Sequence, residues 1–210
     1  ANNTVPTVFI IDDDASVRKS LGRLLASADI RHETFDSAEA FLARDRFDGI
    51  GAIILDIRMP GLDGMVLHEK LIETGCDLPV IFLSGHADIP TSVAAMRKGA
   101  LNFLTKPVDD TTLLRAIDEA IDSHEKQQGI ADRKAAAETI IATLTDREYQ
   151  VLRYVITGIT NRKIGELLDI KEKTVKVHRA HVMEKLNASS IVDLVRICDL
   201  ADIDPLETSV

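Results

Sequence analysis

The chain has 210 residues, 45% of them apolar and 28% charged, the composition of a soluble globular protein with one large or two modest domains rather than a disordered or fibrous one. Its 25 Lys and Arg against 34 Asp and Glu give a net charge of −9, which as an average argues against a nucleic-acid partner. No apolar run reaches the roughly 18–20 residues of a membrane span and no basic, apolar leader opens the chain, so neither membrane insertion nor secretion is expected; the widely spaced Cys76 and Cys198 suit a reducing cytoplasm.

From Thr7 to about Ser123, short β-rich runs alternate with amphipathic stretches. Val8–Ile11, Ala52–Leu55 and Val80–Leu83 are continuously apolar, as strands buried on both faces must be. His32–Phe35 and Leu101–Leu104 are weaker strand candidates. Val17, Leu21, Leu24 and Leu25 recur at helical spacing, as do Val66, Leu67 and Leu71, and then Leu113, Leu114, Ala116, Ile117 and Ile121. Five strand–helix repeats predict an α/β domain over residues 1–123, a doubly wound, mostly parallel sheet with right-handed crossovers, for which 2-1-3-4-5 is the strand order taken. Residues 124–143 are polar and Ala-rich and read as a largely helical linker, either broken at Gly129 or continuing the preceding helix. Over 144–210 four short apolar stripes predict a small all-α domain of four helices.

Counted by segment, charge becomes informative. Residues 1–123 hold 12 basic and 20 acidic side chains, a net of −8, whereas residues 144–198 hold 10 basic and 7 acidic, a net of +3. Lys171–Lys185 alone has five basic residues against two acidic ones. The average concealed an acidic domain joined to a locally basic one.

The first strand runs into Asp12-Asp13-Asp14 and the third into Asp56. Open parallel sheets bind ligands beyond the carboxyl ends of their strands, at the point where strand order reverses. The order 2-1-3-4-5 brings Asp12, Asp13 and Asp56 together there, and bare carboxylates ~4 Å apart repel by about 4 kcal/mol at an effective dielectric of 20. A hard divalent cation, Mg2+ or Mn2+, relieves that repulsion, and a backbone carbonyl in the loop Arg58-Met59-Pro60-Gly61 completes its shell. Strand four ends at Ser84 and strand five at Lys106-Pro107, so a hydroxyl and an ammonium join the rim. That set suits a tetrahedral anion and implies phosphate chemistry on a carboxylate, with Asp56 the acceptor. Asp14 and Ser16 serve as well for a helix cap.

These residues resemble the receiver domain of two-component response regulators. Asp12 and Asp13, Asp56 within Leu-Asp-Ile-Arg-Met-Pro-Gly-Leu-Asp-Gly, Ser84-Gly-His, and Phe103-Leu-Thr-Lys106-Pro107 carry the match, over residues 7–123. The resemblance implies a flavodoxin-like fold with Asp56 as phosphoacceptor. It also implies Asp12, Asp13, Asp56 and the Arg58 carbonyl as metal ligands, Asp12 through water, with Ser84 and Phe103 as switch residues and Lys106 on the phosphate. Ser84 stands where many relatives have Thr.

In the second domain Thr145 with Glu148 reads as a capping box, Gly158 ends that helix, Thr160-Asn161 caps the next and Asp169-Ile170 is a turn. On the third helix Val175, His178, Val182 and Leu186 point inward, while Lys173, Lys176, Val177, Ala180 and Glu184 share the opposite face. Lysines, a β-branched Val and a small Ala on one short helix suit the major groove, and Lys171, Arg179 and Arg162 suit phosphates. Leu144-Thr-Asp-Arg-Glu148, Gly158, Asn161-Arg-Lys-Ile-Gly165, Lys173-Thr-Val-Lys-Val-His178 and Lys185-Leu resemble the helix-turn-helix output domain of LuxR-type regulators. With the receiver, the chain is similar to the FixJ/NarL family, closest to its FixJ branch. That implies Thr174 among the DNA contacts. Gly165 stands where relatives usually have Ala, a cost of roughly 1 kcal/mol in helix propensity.

The expected protein is a cytoplasmic transcription factor. A sensor histidine kinase would phosphorylate Asp56, two copies would then pair, and promoter DNA and RNA polymerase would be partners. Two rivals remain from sequence. Asp12-Asp13-Asp14-Ala15-Ser16 also reads as the Asp-x-Asp-x-Ser of a haloacid-dehalogenase-type phosphatase with Asp12 as nucleophile, and the pocket could be vestigial in a phosphate-independent DNA-binding regulator.

Overall fold

The computed structural model describes residues 5–85 and 89–206, in two compact units that divide between Gln128 and Gly129. His86, in the Ser84-Gly-His motif, lies outside the described residues. In the first unit, β1 (Thr7–Ile11), α1 (Ala15–Ser27), β2 (Arg31–Phe35), α2 (Ala38–Leu42), β3 (Gly51–Asp56), α3 (Gly64–Glu73), β4 (Val80–Ser84), α4 (Ile89–Arg97) and β5 (Asn102–Thr105) follow in turn. The sheet is parallel throughout and ordered β2-β1-β3-β4-β5.

Both faces of this sheet are covered, which explains the uninterrupted apolar runs. Phe9, Ile11, Ile53, Leu55 and Phe82 pack with Phe41 of α2 and with Leu67 and Leu71 of α3. Their neighbours in sequence, Val8, Ile10, Ile54, Ile81 and Leu83, face the other way into Leu21 and Leu25 of α1. Leu113 and Ile117 of α5 (Asp110–Ile141) complete that second layer. Neighbouring residues thus feed opposite cores, as the two-residue period of a strand requires. The edge strand β2 is largely exposed, and its sequence signal is correspondingly weak.

Register aligns the strand ends. Ile11 pairs with Leu55, Asp56 with Leu83 and Ser84 with Thr105. Close beneath this rim, a Cβ on Gly64 would sit 2.1 Å from the Asp56 carbonyl oxygen, so only glycine lets α3 begin against the end of β3.

α5 runs through Gly129 without a break. Its distal part is less solvated than its polar sequence suggests: Ala137 and Ile141 are buried, and Ile141 joins the core of the second unit. That unit comprises α6 (Asp146–Val155), α7 (Asn161–Leu168), α8 (Glu172–Lys185) and α9 (Ile191–Leu200) around Val151, Leu152, Ile164, Val175, Val182 and Leu194. Capping boxes, Thr145 with Glu148 and Ser190 with Asp193, open α6 and α9. Between α7 and α8, Asp169 takes a left-handed conformation (φ 52°) and the Ile170 N–H donates to the Gly165 carbonyl at 2.9 Å. A Cβ at Gly165 would lie 2.7 Å from the Ile170 carbonyl oxygen. The glycine that looks costly as a helix former therefore fits the close turn.

Candidate phosphoacceptor pocket and DNA-binding face

Asp12, Asp56 and Ser84 end neighbouring strands and are 1%, 5% and 3% exposed. Lys106, just past β5, reaches back between the two carboxylates: its Nζ donates to Asp12 Oδ2 and to Asp56 Oδ1, each at 2.5 Å. The Lys106 backbone N–H donates to the Ser84 carbonyl at 2.8 Å, locking this segment against the end of β4. The Lys106–Pro107 peptide is cis. Burial raises the pKa of the Asp56 carboxyl, against the pull of Lys106 and of the Arg58 N–H, both of which hydrogen-bond to its ionised form. For Lys106, burial works against the charge, but the hydrogen bonds it donates to Asp12 and Asp56, with their negative charges, outweigh it and the pKa rises. The ammonium thus neutralises part of the negative charge of two desolvated carboxylates at the rim.

Asp13 does not join them. It follows Asp12 by one residue, so its side chain turns away from the buried side, and it is exposed. Among the described residues no three His, Cys, Asp or Glu side chains gather closely enough to hold a metal ion. Lys106 supplies the positive charge that offsets repulsion between Asp12 and Asp56. Asp12 and Asp56 remain two hard oxygen donors beside the Arg58 loop, a donor set that suits a divalent cation completed by water and a carbonyl. Asp14 is occupied as the cap of α1, its Oδ1 accepting the N–H of Ser16 at 2.7 Å and of Val17 at 3.4 Å. Phe103 is half-buried on β5 against the core, in register with Phe82.

On α8 the two faces separate as the spacing requires. Val175 and Val182 are buried, whereas Lys173, Thr174, Lys176, Val177 and Ala180 are exposed, Val177 at 47%. Lys171, at the N-cap position, is also exposed. Lys176 Nζ lies 2.9 Å from Glu172 and Arg162 Nε 3.2 Å from Glu166, both at the surface. Arg179 is half-buried and donates to Asn161 Oδ1 at 3.1 Å, which ties α8 to the start of α7. His178 is half-buried, and its buried Nδ1 has no hydrogen-bond partner among the described residues.

Residues 8–118 match the response regulator receiver domain, and residues 142–198 match the luxR family of bacterial regulatory proteins. This chain is a response regulator with a luxR-type DNA-binding domain. It is 40% identical to response regulator protein TmoT of Ectopseudomonas mendocina, over 94% of this chain and 90% of that one. It is equally identical to the transcriptional regulatory protein FixJ of Bradyrhizobium diazoefficiens, over 90% and 93%. The solved structure of response regulator StyR superposes with a TM-score of 0.86 at 41% identity, covering 93% of this chain and 99% of that one. No helix among the described residues is long and apolar enough to cross a membrane.

One ion cluster in this response regulator escaped sequence reasoning. Glu148, 4% exposed, accepts from Lys185 Nζ at 2.7 Å and lies 3.4 Å from His181 Nδ1. Lys185, with the Thr145 N–H, lowers the Glu148 pKa to about 2. Lys185 also donates to the Thr143 carbonyl at 3.1 Å, so the last turn of α8 holds the segment that enters α6. Glu148 was legible as a cap, but Lys185 lies 37 residues away and no local pattern pairs them.

Proposed function

We propose that this response regulator accepts a phosphoryl group on Asp56 from the phosphohistidine of a sensor kinase, and that phosphorylation controls pairing of two copies and binding to promoter DNA. The observation that carries this reading is the Lys106 ammonium set between Asp12 and Asp56 at 2.5 Å from each, at the carboxyl edge of the sheet. An Asp56 oxygen attacks phosphorus, the P–N bond breaks, and the imidazole leaves with its bonding pair while an acyl phosphate forms. Lys106 stands within reach of the new phosphoryl oxygens, and Ser84 offers a hydroxyl from the next strand. Asp12, Asp56 and the Arg58 carbonyl, with Asp13 turned inward, would hold Mg2+ or Mn2+, which when bound supplies further positive charge for those oxygens.

A shift between two packings of Ser84, Phe103 and the α4–β5 face would carry the signal, with the phosphorylated form favouring one of them. Val93 and Met96 of α4 are exposed apolar side chains on that face, and they support pairing of two receivers there. On DNA, Lys173, Thr174, Lys176, Val177 and Ala180 would read the major groove, with Lys171, Arg162 and Arg179 on phosphates. Arg179 would leave Asn161 to do so. RNA polymerase and a cytoplasmic location follow from the same reading.

Acetyl phosphate with Mg2+ tests the proposal: intact mass should rise by one phosphoryl group and Asp56→Asn should abolish the rise. Phosphate on another residue, or DNA affinity indifferent to it, would overturn the reading. Lys171→Ala, which removes a proposed phosphate contact, should weaken binding to all sequences and flatten the salt dependence by about 0.9 in log–log slope. Lys176→Ala should change sequence preference more than Arg162→Ala does.

A further inference from the structure

The end of the sheet opposite Asp56 holds a polar network that the phosphoryl chemistry does not use. The apolar stripe of α5 passes through Leu113, Ile117 and Ala120 and arrives, one turn later, at His124, which is 1% exposed. Its Nδ1 accepts the backbone N–H of Gly51, the first residue of β3, at 3.1 Å. β4 begins to pair with β3 only at Ile53, so the ladder provides no acceptor on that side for the Gly51 N–H, and the imidazole fills the position. A neutral ring that accepts at Nδ1 carries its proton on Nε2, which lies 3.5 Å from Asp77 Oδ1 in the α3–β4 connection. One turn further along α5, Gln128 Nε2 donates to Asp77 Oδ2 at 2.8 Å. Three segments are thereby joined: the start of β3, the α3–β4 connection and α5 up to the residue where the units divide.

β3 carries Gly51 at one end and Asp56 at the other. α5 continues unbroken from Gln128 to Ile141, which is buried in the core of the helical unit. We infer that His124, with Asp77 and Gln128, is a positioning residue that ties α5 to β3 and so carries the state of Asp56 to the DNA-binding unit. The inference rests on the proposed control of DNA binding by phosphate on Asp56. Leucine at 124 would fill the stripe equally well but could not accept the Gly51 N–H; asparagine keeps an acceptor near the place of Nδ1.

The full-length protein is treated with acetyl phosphate and Mg2+, and phosphorylation by intact mass is measured beside DNA affinity with and without phosphate. In His124→Leu, phosphate uptake should match the parent while the phosphate-dependent gain in DNA affinity falls by about fivefold or more, with His124→Asn restoring most of it. Amide exchange on the untreated proteins provides a separate readout: peptides covering Gly51 and residues 121–141 should lose protection in His124→Leu and keep it in His124→Asn. A folded His124→Leu protein with the full gain and unchanged protection overturns the inference. Where His124→Leu does not fold, the Asp77→Ala/Gln128→Ala double variant leaves the imidazole in place and decides the question by the same criteria. If the parent itself takes up no phosphate, the proposed function fails, and the exchange data still report whether the network holds α5.

Discussion

Lys106 settles the charge of the rim in a way its neighbours cannot. Asp12 and Asp56 are buried on separate strands, and without an ammonium between them one would have to take up a proton or expose itself to water. Lys106→Met should lower unfolding free energy by about 3 kcal/mol at neutral pH, measured by urea titration, because it leaves two uncompensated buried carboxylates. Glu148 carries the corresponding burden in the helical unit. Its folded pKa of about 2 lies below the ordinary 4.5, so its stabilisation is complete above pH 4.5 and is lost as pH falls from there toward 2. Glu148→Gln should cost roughly 2 kcal/mol at pH 7 through the weakened cap and lost charge, and much less at pH 2, as thermal unfolding across that range would register. The carboxylates, Ser84 and Lys106 were legible because each stands at the end of a strand. The exposure of Asp13 was not, since three successive aspartates look alike until the first one turns inward and is met by Lys106.

Elements whose apolar pattern matched their burial could be read directly. β1, β3 and β4 are buried along their whole length, and α8 presents the lysine face that its spacing foretold. β2 announces itself poorly because a largely exposed edge strand has little reason to be apolar. Gly165 misleads for a different reason: helix propensity is a local quantity, whereas the Ile170 carbonyl that crowds its missing Cβ comes from the following turn. Gly165→Ala should therefore lower the melting temperature instead of raising it. At Gly64 the approach is closer still, and Gly64→Ala should both destabilise the receiver by more than about 1 kcal/mol and reduce phosphate uptake by Asp56, because α3 would have to push the end of β3 aside.

At the scale of the whole chain, segmental charge separated an acidic stretch, residues 1–123, from a locally basic one, residues 144–198, and the structure divides between them, at Gln128–Gly129 within α5. Less was visible in the stretch from His124 to Ile141. Its polar, Ala-rich composition describes the solvent side of a helix, while the few residues that fix it, His124 at one end and Ile141 at the other, are too sparse to form a stripe. A single helix that enters two cores also imposes a condition on how such proteins can be recombined. Each residue added to it turns everything downstream by about 100°, so one alanine inserted after Ile130 should disrupt the response of DNA affinity to phosphate, while seven, which return within about 20° of the starting azimuth, should largely preserve it. Fusions that exchange the output half will be viable when their seam is cut in whole turns, and the permitted lengths of this connector should be spaced like the teeth of a gear.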